Sequence, residues 1–218
     1  MATAFPETTR IVPGAARAAK PQMRTAERRT AILEAATAVF GARGYNSGSL
    51  VEIAERVGMT HAGILHHFGS KEQLLLAVLA HRDEVDLQRF DEHDNPVGAA
   101  YLDHLVHTAY YSAERVSIIK SYAVLSAESV TGGHPAQEFF RERFAGMRSR
   151  VAGDLALAVG ADAGDARVAA AAAAIVAVTD GLQVQWLLDP ARVDMPGAVQ
   201  LVIDAIVENL RRSVAEPR

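Results

Sequence analysis

The chain has 218 residues, of which 50% are apolar and 22% are charged, so one or two domains with substantial cores are expected. It contains no cysteine, which excludes disulfides, thiolate metal sites and cysteine nucleophiles. The chain has neither an uninterrupted apolar run of about 18 residues, as a membrane span needs, nor an apolar signal segment. We therefore expect a soluble, cytoplasmic protein with no membrane partner.

The net charge of −4 is unevenly distributed along the chain. Residues 1–75 contain 9 lysines and arginines against 6 acidic residues, whereas residues 76–218 contain 13 against 20. A basic end on an acidic body is typical of a protein whose head faces phosphate groups and whose body repels them.

Residues 1–23 contain three prolines and show no apolar periodicity, which predicts a flexible arm. Basic residues continue from this arm into the first helical turn, where Arg28 and Arg29 could follow a phosphate backbone. A solvated tail without any partner would have the same composition. For the part before Arg24, both interpretations stay open.

The first helix is predicted over residues 25–43, and Gly44 is expected to end it in a left-handed conformation. Residues 45–48 are predicted to form a loop. In this loop Ser47, together with Ser49 at the start of the next helix, could bind phosphate oxygens, because helix N-termini favour anions. The apolar stripe of the first helix, expected to pack beneath the next two, contains Ile32, Ala35, Ala36, Val39 and Phe40.

A helix-turn-helix is predicted between Ser49 and Gly69. Ser49 and Glu52 form a capping-box pair at the start of a two-turn helix that stops at Gly58. Thr60 can cap a second short helix after a tight turn. Two helices joined in this way can place the second one in a DNA major groove.

The second helix of this motif carries small and polar side chains instead of a continuous apolar surface. The small residues would let the backbone approach the groove floor, and the hydroxyl and imidazole groups can hydrogen-bond to base edges or phosphates. A merely solvated helix face is the alternative. None of the histidine pairs has the i, i+4 spacing of a helical zinc site, and we predict no metal and no cofactor. The candidate DNA contacts are Thr60, His61, Ala62, Gly63, His66 and His67.

Residues 28–79 resemble the DNA-binding domain of the tetracycline-repressor (TetR) family of transcriptional regulators. The matching stretches are RRTAILEAATAVFGARGY, IAERVGMT and HHFGSKEQLLLAVL. The resemblance implies specific DNA binding and a phosphate contact for Lys71 at the start of the fourth helix. The family usually has one or two tyrosines where this chain has Leu65 and His66, so His66 is expected to substitute for such a contact and Leu65 is not expected to touch DNA.

The rest of the chain has helical periodicity throughout, which predicts an all-α fold of about nine helices, also the number typical of the family. The fourth helix, from Lys71 to about Phe90, is long enough to leave the head and enter a second domain. Five further helices are predicted over 97–114, 116–130, 136–159, 165–188 and 196–213. The predicted regions are a flexible basic arm over 1–23, a helix-turn-helix domain over 24–70 and a ligand-binding and dimerisation domain over 71–218.

The last two predicted helices carry extensive apolar surface. One begins with the alanine run 169–174, whose small side chains permit close helix approach, and the other repeats Val and Ile at helical spacing. The resemblance implies that this pair forms the four-helix interface of a homodimer. DNA geometry also favours a dimer, because two recognition helices must reach major grooves about 34 Å apart. An ordinary core is the alternative.

Most of the aromatic residues lie between positions 100 and 150, which favours an apolar cavity with a few polar groups, the usual site for a small molecule. A plain aromatic core is the alternative for each residue. The candidate ligand contacts are Tyr101, His104, Leu105, Tyr111, Ile118, Tyr122, Phe140, Phe144, Thr179 and Gln183.

These features predict a homodimeric regulator, most simply a repressor, that binds a palindromic operator in double-stranded DNA and is released by a small-molecule effector. The alternatives are a ligand-dependent activator and a DNA-binding protein without an effector. The sequence has no nucleophile elbow, Gly-rich phosphate loop or Ser/His/Asp arrangement that would predict catalysis, and we assign no catalytic residue.

Overall fold

A computed structural model describes residues 25–91, 96–111 and 115–215, with side chains between 83 and 91 left out of the description. Regular structure within these ranges is entirely helical, which confirms the predicted all-α fold. The nine helices are α1 (Thr25–Ser47), α2 (Leu50–Arg56), α3 (His61–Phe68), α4 (Lys71–Asp91), α5 (Ala99–Tyr110), α6 (Val116–Glu128), α7 (Gln137–Val159), α8 (Ala166–Leu188) and α9 (Met195–Ala215). The arm predicted over 1–23 lies outside the described residues.

The predicted break at Gly44 is present, with a left-handed φ of 73° and a ψ of 176°. It is a kink within α1, because a further helical turn up to Ser47 follows where a loop was predicted. The N–H of Tyr45 donates to a carboxylate oxygen of Glu128, on α6, at 2.7 Å. The backbone of Gly48 then donates to the carbonyl of Gly44 at 3.1 Å. The carboxylate of Glu128, distant in sequence, therefore accepts the hydrogen bond of the amide that follows the kink. A helical turn begins again beyond it.

Caps fix both helices of the helix-turn-helix. Ser49 Oγ accepts the N–H of Val51 at 3.2 Å, and Thr60 Oγ1 accepts the N–H of Gly63 at 3.1 Å. Between the two helices Gly58 adopts a φ of 66°, a left-handed conformation that glycine reaches without steric cost. Both caps predicted from the sequence are therefore present.

The carboxylate of Glu52 does not complete the predicted capping box. It lies 2.8 Å from Nε of Arg43 on α1 and 3.0 Å from Nη2 of Arg56 on α2. Both ion pairs are partly exposed, so each contributes about 1 kcal/mol or less to stability. The pair with Arg43 links the first two helices, and the pair with Arg56 lies within α2.

The core of the head extends into the C-terminal region. Phe40 is fully buried beneath the helix-turn-helix, as predicted. The same cluster of buried residues includes Tyr122 and Leu125 of α6 and Phe140 of α7. At Gly41 a side chain would meet the Ser121 backbone at 3.0 Å, so α1 and α6 approach each other closely. Head and body thus share one core.

A second core joins α5, α7, α8 and α9. At its edge the buried carboxylate of Asp154 accepts the N–H of Gly98 at 2.8 Å and lies 2.5 Å from Arg150 Nε. Arg150 also donates to the carbonyl of Pro96 at 2.7 Å, which ties the start of α5 to α7. Phe144 packs against both cores and marks the boundary between them.

Helix α8 is the one helix of the described ranges that is long and apolar enough to cross a membrane by length and composition. The sequence prediction counted uninterrupted apolar runs, and α8 contains Asp180 near its middle. Only 22% of its most apolar window is buried within the chain. Much of the apolar surface of α8 is therefore available to another partner.

Candidate nucleic-acid interface

Helix α3 presents its predicted DNA contacts on the face opposite the core. Ile64 and Phe68 are buried and anchor the helix on the head. The polar and small residues lie on the remaining surface, where hydroxyl and imidazole groups can meet base edges. Thr60, His61, Ala62 and His66 are exposed, and Gly63 and His67 are half-buried.

Packing also positions the individual contacts of α3. The rings of His66 and His67 meet edge to face with their centres 5.9 Å apart, so the two imidazoles orient each other. A side chain at Gly63 would lie 3.1 Å from Cε of Met59, so this glycine lets α3 start close to the turn. Leu65 is half-buried.

The two arginines at the start of α1 have different environments. The guanidinium carbon of Arg29 lies 4.4 Å from the centre of the Phe68 ring, and its Nη1 lies 3.5 Å from the carbonyl oxygen of His67. Arg29 is therefore held at the C-terminal end of α3. Arg28 is exposed.

Lys71 is positioned by residues that the sequence did not indicate. Its Nζ donates to the carbonyl of Asn46 at 3.1 Å and lies 4.7 Å from the centre of the Tyr45 ring. Burial lowers the pKa of Lys71, and the negative charge of Glu128 opposes that effect. The ammonium group thus lies at the start of α4 beside the end of α1.

The predicted serine contacts differ in what their hydroxyls do. Ser47 is exposed at the end of α1. The half-buried Ser49 caps α2, accepting N–H groups from Val51 and Glu52. A hydroxyl that accepts hydrogen bonds still has its own proton to donate. Ser49 can therefore cap the helix and bind a phosphate at the same time.

Glu128 and His134 also contact this side of the head, and the sequence analysis missed both. Glu128 accepts the N–H of Tyr45, and Nε2 of the buried His134 lies 3.8 Å from the same carboxylate oxygen. The rings of Tyr45 and His134 meet edge to face at 5.3 Å. Burial, followed by the charge of Glu72, raises the pKa of the Tyr45 phenol. The bond between Tyr45 and Glu128 spans 83 residues, and no local sequence pattern indicates it.

The predicted ligand contacts divide between the two cores instead of forming one group. Tyr101 and Leu105 belong to the second core, Tyr122 and Phe140 belong to the first, and Phe144 lies between them. An edge-to-face contact at 5.2 Å links Tyr122 to Phe140. This boundary between the cores is the place where aromatic and polar groups from several helices meet.

The remaining ligand candidates are more scattered. Tyr111 is 55% exposed just beyond α5. The hydroxyl of Thr179 donates to the carbonyl of Ile175 within α8 at 2.9 Å. Three candidates are half-buried, namely His104, Ile118 and Gln183.

Comparison with known proteins agrees with this geometry at both ends of the chain. A family model described as "Bacterial regulatory proteins, tetR family" matches residues 32–78, which include the whole helix-turn-helix. A second, described as "BetI-type transcriptional repressor, C-terminal", matches residues 131–212. Together they cover the head and most of the last three helices.

Individual relatives extend the similarity over most of the chain. "Probable HTH-type transcriptional regulator ArpR" of Pseudomonas putida is 30% identical over 201 residues, 87% of this chain and 94% of the relative. A transcriptional regulator from Saccharomonospora viridis in complex with choline has a TM-score of 0.70 at 22% identity, covering 85% of this chain and 98% of that one. FadR from Bacillus subtilis in complex with stearoyl-CoA has a TM-score of 0.67 at 17% identity, covering 82% and 97%. The chain belongs to the TetR family of bacterial transcriptional regulators.

Proposed function

We propose that this regulator is a repressor that binds a palindromic operator as a homodimer and leaves it when a small molecule binds. Regulators of the family bind DNA operators and small-molecule effectors, typically as dimers. The observation that carries the proposal for this chain is the exposed face of α3. Thr60, His61 and His66 project from it while Ile64 and Phe68 hold the helix on the core.

The residue roles follow from this placement. The base-reading residues are those of α3 with its cap, and the phosphate contacts are Arg28, Arg29, Ser47, Ser49 and Lys71. A positive head on an acidic body supports this division. We assign residues 24–70 to the DNA-binding domain and residues 71–218 to the ligand-binding and dimerisation domain, in a protein of the cytoplasm.

The proposed dimer interface is formed by α8 and α9. Large apolar side chains remain exposed on both helices, including Leu188 at 82% and Leu201 at 70%. Single exposed apolar residues are common on monomers, whereas a contiguous apolar surface on two packed helices indicates a partner. A second copy of the chain would cover this surface and present two α3 helices to one operator.

Two connections support a route from effector to DNA. Helix α4 begins at Lys71 in the head and continues into the body, and Glu128 holds the end of α1 from α6. A ligand that binds better to one arrangement of α4 and α6 shifts the population toward that arrangement. The spacing between the two heads then no longer fits both half-sites.

The test is a selection of genomic DNA fragments with the purified full-length protein, followed by a reporter gene placed behind the enriched site. The proposal expects a palindromic site and lower reporter expression when the protein is present. A non-palindromic preference would overturn the dimeric operator, and higher expression with the protein present would overturn repression.

A further inference from the structure

Two residues of the body hold the segment of the head that lies against Lys71. The carboxylate of Glu128, on α6, accepts the N–H of Tyr45 at 2.7 Å, across 83 residues of sequence. Its other oxygen fills the space beside Gly44, where a side chain would collide with it. The imidazole of His134 meets the Tyr45 ring edge to face, with the ring centres 5.3 Å apart. Tyr45 is therefore held through both its backbone and its ring.

His134 is itself held in one orientation. The residue is buried, and its Nδ1 accepts the N–H of Ala136 at 3.2 Å. A neutral imidazole whose Nδ1 accepts a hydrogen bond carries its proton on Nε2. This Nε2 lies 3.8 Å from the same Glu128 oxygen that binds Tyr45. Glu128 and Tyr45 thus pack against a ring that has little freedom to rotate.

Both partners of Lys71 belong to the segment that Glu128 holds. The Lys71 ammonium lies 4.7 Å from the centre of the Tyr45 ring, and it donates to the carbonyl of Asn46, the next residue, at 3.1 Å. An ammonium group has three protons to donate, so the bond to Asn46 leaves two. The ring and the carbonyl therefore fix the position of the charge and still leave protons for a phosphate oxygen.

We propose that Glu128 is a positioning residue for operator binding: its hydrogen bond to Tyr45 keeps the Tyr45 ring and the Asn46 carbonyl where they hold the Lys71 ammonium. The reach of the Glu128 side chain is needed for this role, and its charge is not. That Glu128 positions Lys71 does not depend on the proposed function. The effect on operator affinity, in contrast, rests on the phosphate contact proposed for Lys71.

The reach and the charge of the side chain can be separated at position 128. Burial lowers the pKa of Lys71, and the charge of Glu128 opposes that effect, so the charge also acts on the ammonium group. Glu128→Gln removes the charge and keeps an oxygen at the same distance along the side chain. Glu128→Asp keeps the charge but is one CH2 group shorter, so its oxygens cannot reach the N–H of Tyr45. Positioning predicts that only the Asp variant is impaired.

The first test measures the position of the Lys71 side chain by NMR on the full-length protein without DNA. The chain has three lysines, Lys20, Lys71 and Lys120, so selective labelling gives three side-chain signals. Because an aromatic ring displaces the signals of protons above its face, the ε-CH2 signal of Lys71 should differ from that of Lys120, which is exposed on α6. Tyr45→Leu removes the ring and defines the undisplaced signal.

We expect Glu128→Gln to keep the displacement of the Lys71 signal and Glu128→Asp to lose most of it. Glu142→Asp, at an exposed position on α7, is the matched control and should change nothing. Three results would overturn the positioning: a displacement that persists in Glu128→Asp, a displacement that is lost in Glu128→Gln, or a wild-type Lys71 signal equal to that of Tyr45→Leu.

The second test is a double-variant cycle on operator affinity. Glu128→Asp should weaken operator binding about 3- to 10-fold in the wild-type background, because the phosphate contact of Lys71 is displaced. In a Lys71→Gln background the same change should weaken binding about 2-fold or less, since no ammonium group remains to be positioned. Glu128→Gln should bind the operator at least as tightly as wild type. Equal weakening by Glu128→Asp in both backgrounds, as general destabilisation would give, or no weakening in either would overturn the role in operator binding.

The two tests together separate this proposal from the proposed function. A Lys71 signal that responds to the two Glu128 variants as expected, in a protein whose operator affinity is unchanged by Lys71→Gln, supports the positioning and overturns the phosphate contact. Weaker operator binding by Lys71→Gln, with a Lys71 signal and an operator affinity that Glu128→Asp leaves unchanged, supports the phosphate contact and overturns the positioning.

Discussion

The carboxylate of Glu128 accepts the backbone N–H of Tyr45 at 2.7 Å, at the point where α1 kinks. Gly44, immediately before, has a φ of 73°, and a side chain there would collide with the end of the Glu128 side chain. A residue of the body therefore determines how the head ends its first helix. Both the glycine and the carboxylate are needed for this contact.

Replacing Gly44 with Ala is expected to displace the Glu128 side chain and to strain the backbone. We predict that Gly44→Ala lowers the free energy of unfolding by about 2–4 kcal/mol and that Glu128→Ala lowers it by about 1–3 kcal/mol. Because both break the bond to Tyr45, the double variant should lose less than the sum. Urea unfolding gives the free energy of unfolding of all three variants. Gly132→Ala is the control, because a side chain at Gly132 would point into open space. Strict additivity would show that the two residues do not act together.

Lys71→Gln should weaken operator binding at every sequence to a similar extent. A lysine that contacts one phosphate releases about one counterion, so the slope of log affinity against log salt should become shallower by about one. Fluorescence anisotropy at several salt concentrations gives this slope. Lys120→Gln, exposed on α6, is the matched control. An unchanged slope in Lys71→Gln would mean that the ammonium group of Lys71 contacts only Asn46 and Tyr45 and no phosphate.

His66→Ala should alter which sequence is bound. The imidazole of His66 is exposed on α3, and loss of a base contact costs about 1–3 kcal/mol at one base pair. Affinities for operators with single substitutions should therefore become nearly equal at one position of each half-site. His107 is exposed on α5, and His107→Ala should discriminate among the substituted operators as wild type does. A uniform loss at all positions would identify His66 as a phosphate contact.

Asp180 should make stability depend on pH. Burial raises the pKa of this carboxyl from 3.8 to about 6, although Arg82 on α4 and Arg143 on α7 oppose the rise. Because the folded state holds the proton more tightly, this contribution to stability is complete below pH 3.8 and is lost as pH rises through about 6. Among the described residues, Tyr122 on α6 is a further titratable group on which the charge of Asp180 acts.

The corresponding measurement compares wild type with Asp180→Asn. Between pH 5 and pH 7 wild type should lose about 1 kcal/mol of unfolding free energy relative to the variant, which cannot ionise. Asp103 is exposed on α5, and the unfolding free energy of Asp103→Asn should change with pH in the same way as that of wild type. Parallel curves for Asp180→Asn and wild type would show that Asp180 has an ordinary pKa in the folded protein.

Leu201→Glu should convert the dimer to monomers. Leu201 is 70% exposed on α9, and a charge buried without a partner at an interface costs several kcal/mol. Light scattering should change from twice the chain mass of 23.3 kDa to that mass itself. Val130→Glu introduces the same charge at an 81% exposed valine outside α8 and α9 and should stay dimeric. A dimeric Leu201→Glu protein would place the interface elsewhere.

The parts of the fold that the sequence predicted are those determined locally. The caps at Ser49 and Thr60 and the turn at Gly58 depend on neighbouring residues, so their patterns are visible in the chain. The bond between Glu128 and Tyr45 crosses 83 residues and could not be predicted. The helical turn after Gly44 was not predicted for this reason, whereas the break at Gly44 was.

The ligand residues were harder to predict than the DNA contacts. Helical periodicity shows that Tyr101 and Tyr122 face inward, but it does not show which core each one joins. The structure places them in different cores. The arginines whose charges act on Tyr122 were also missed, because Arg82 and Arg143 look like ordinary surface charges until α4, α6 and α7 are packed together.

In the proposed complex, two copies of α3 read two half-sites one helical turn apart, about 34 Å. The most direct test measures the affinity of the full-length protein for the selected operator and for the same DNA with about half a helical turn inserted between the half-sites. Linked binding of both heads predicts that the insertion weakens binding about 100-fold or more and that two chains bind each intact operator. Equal affinity for both DNAs would contradict the binding of one operator by two linked α3 helices.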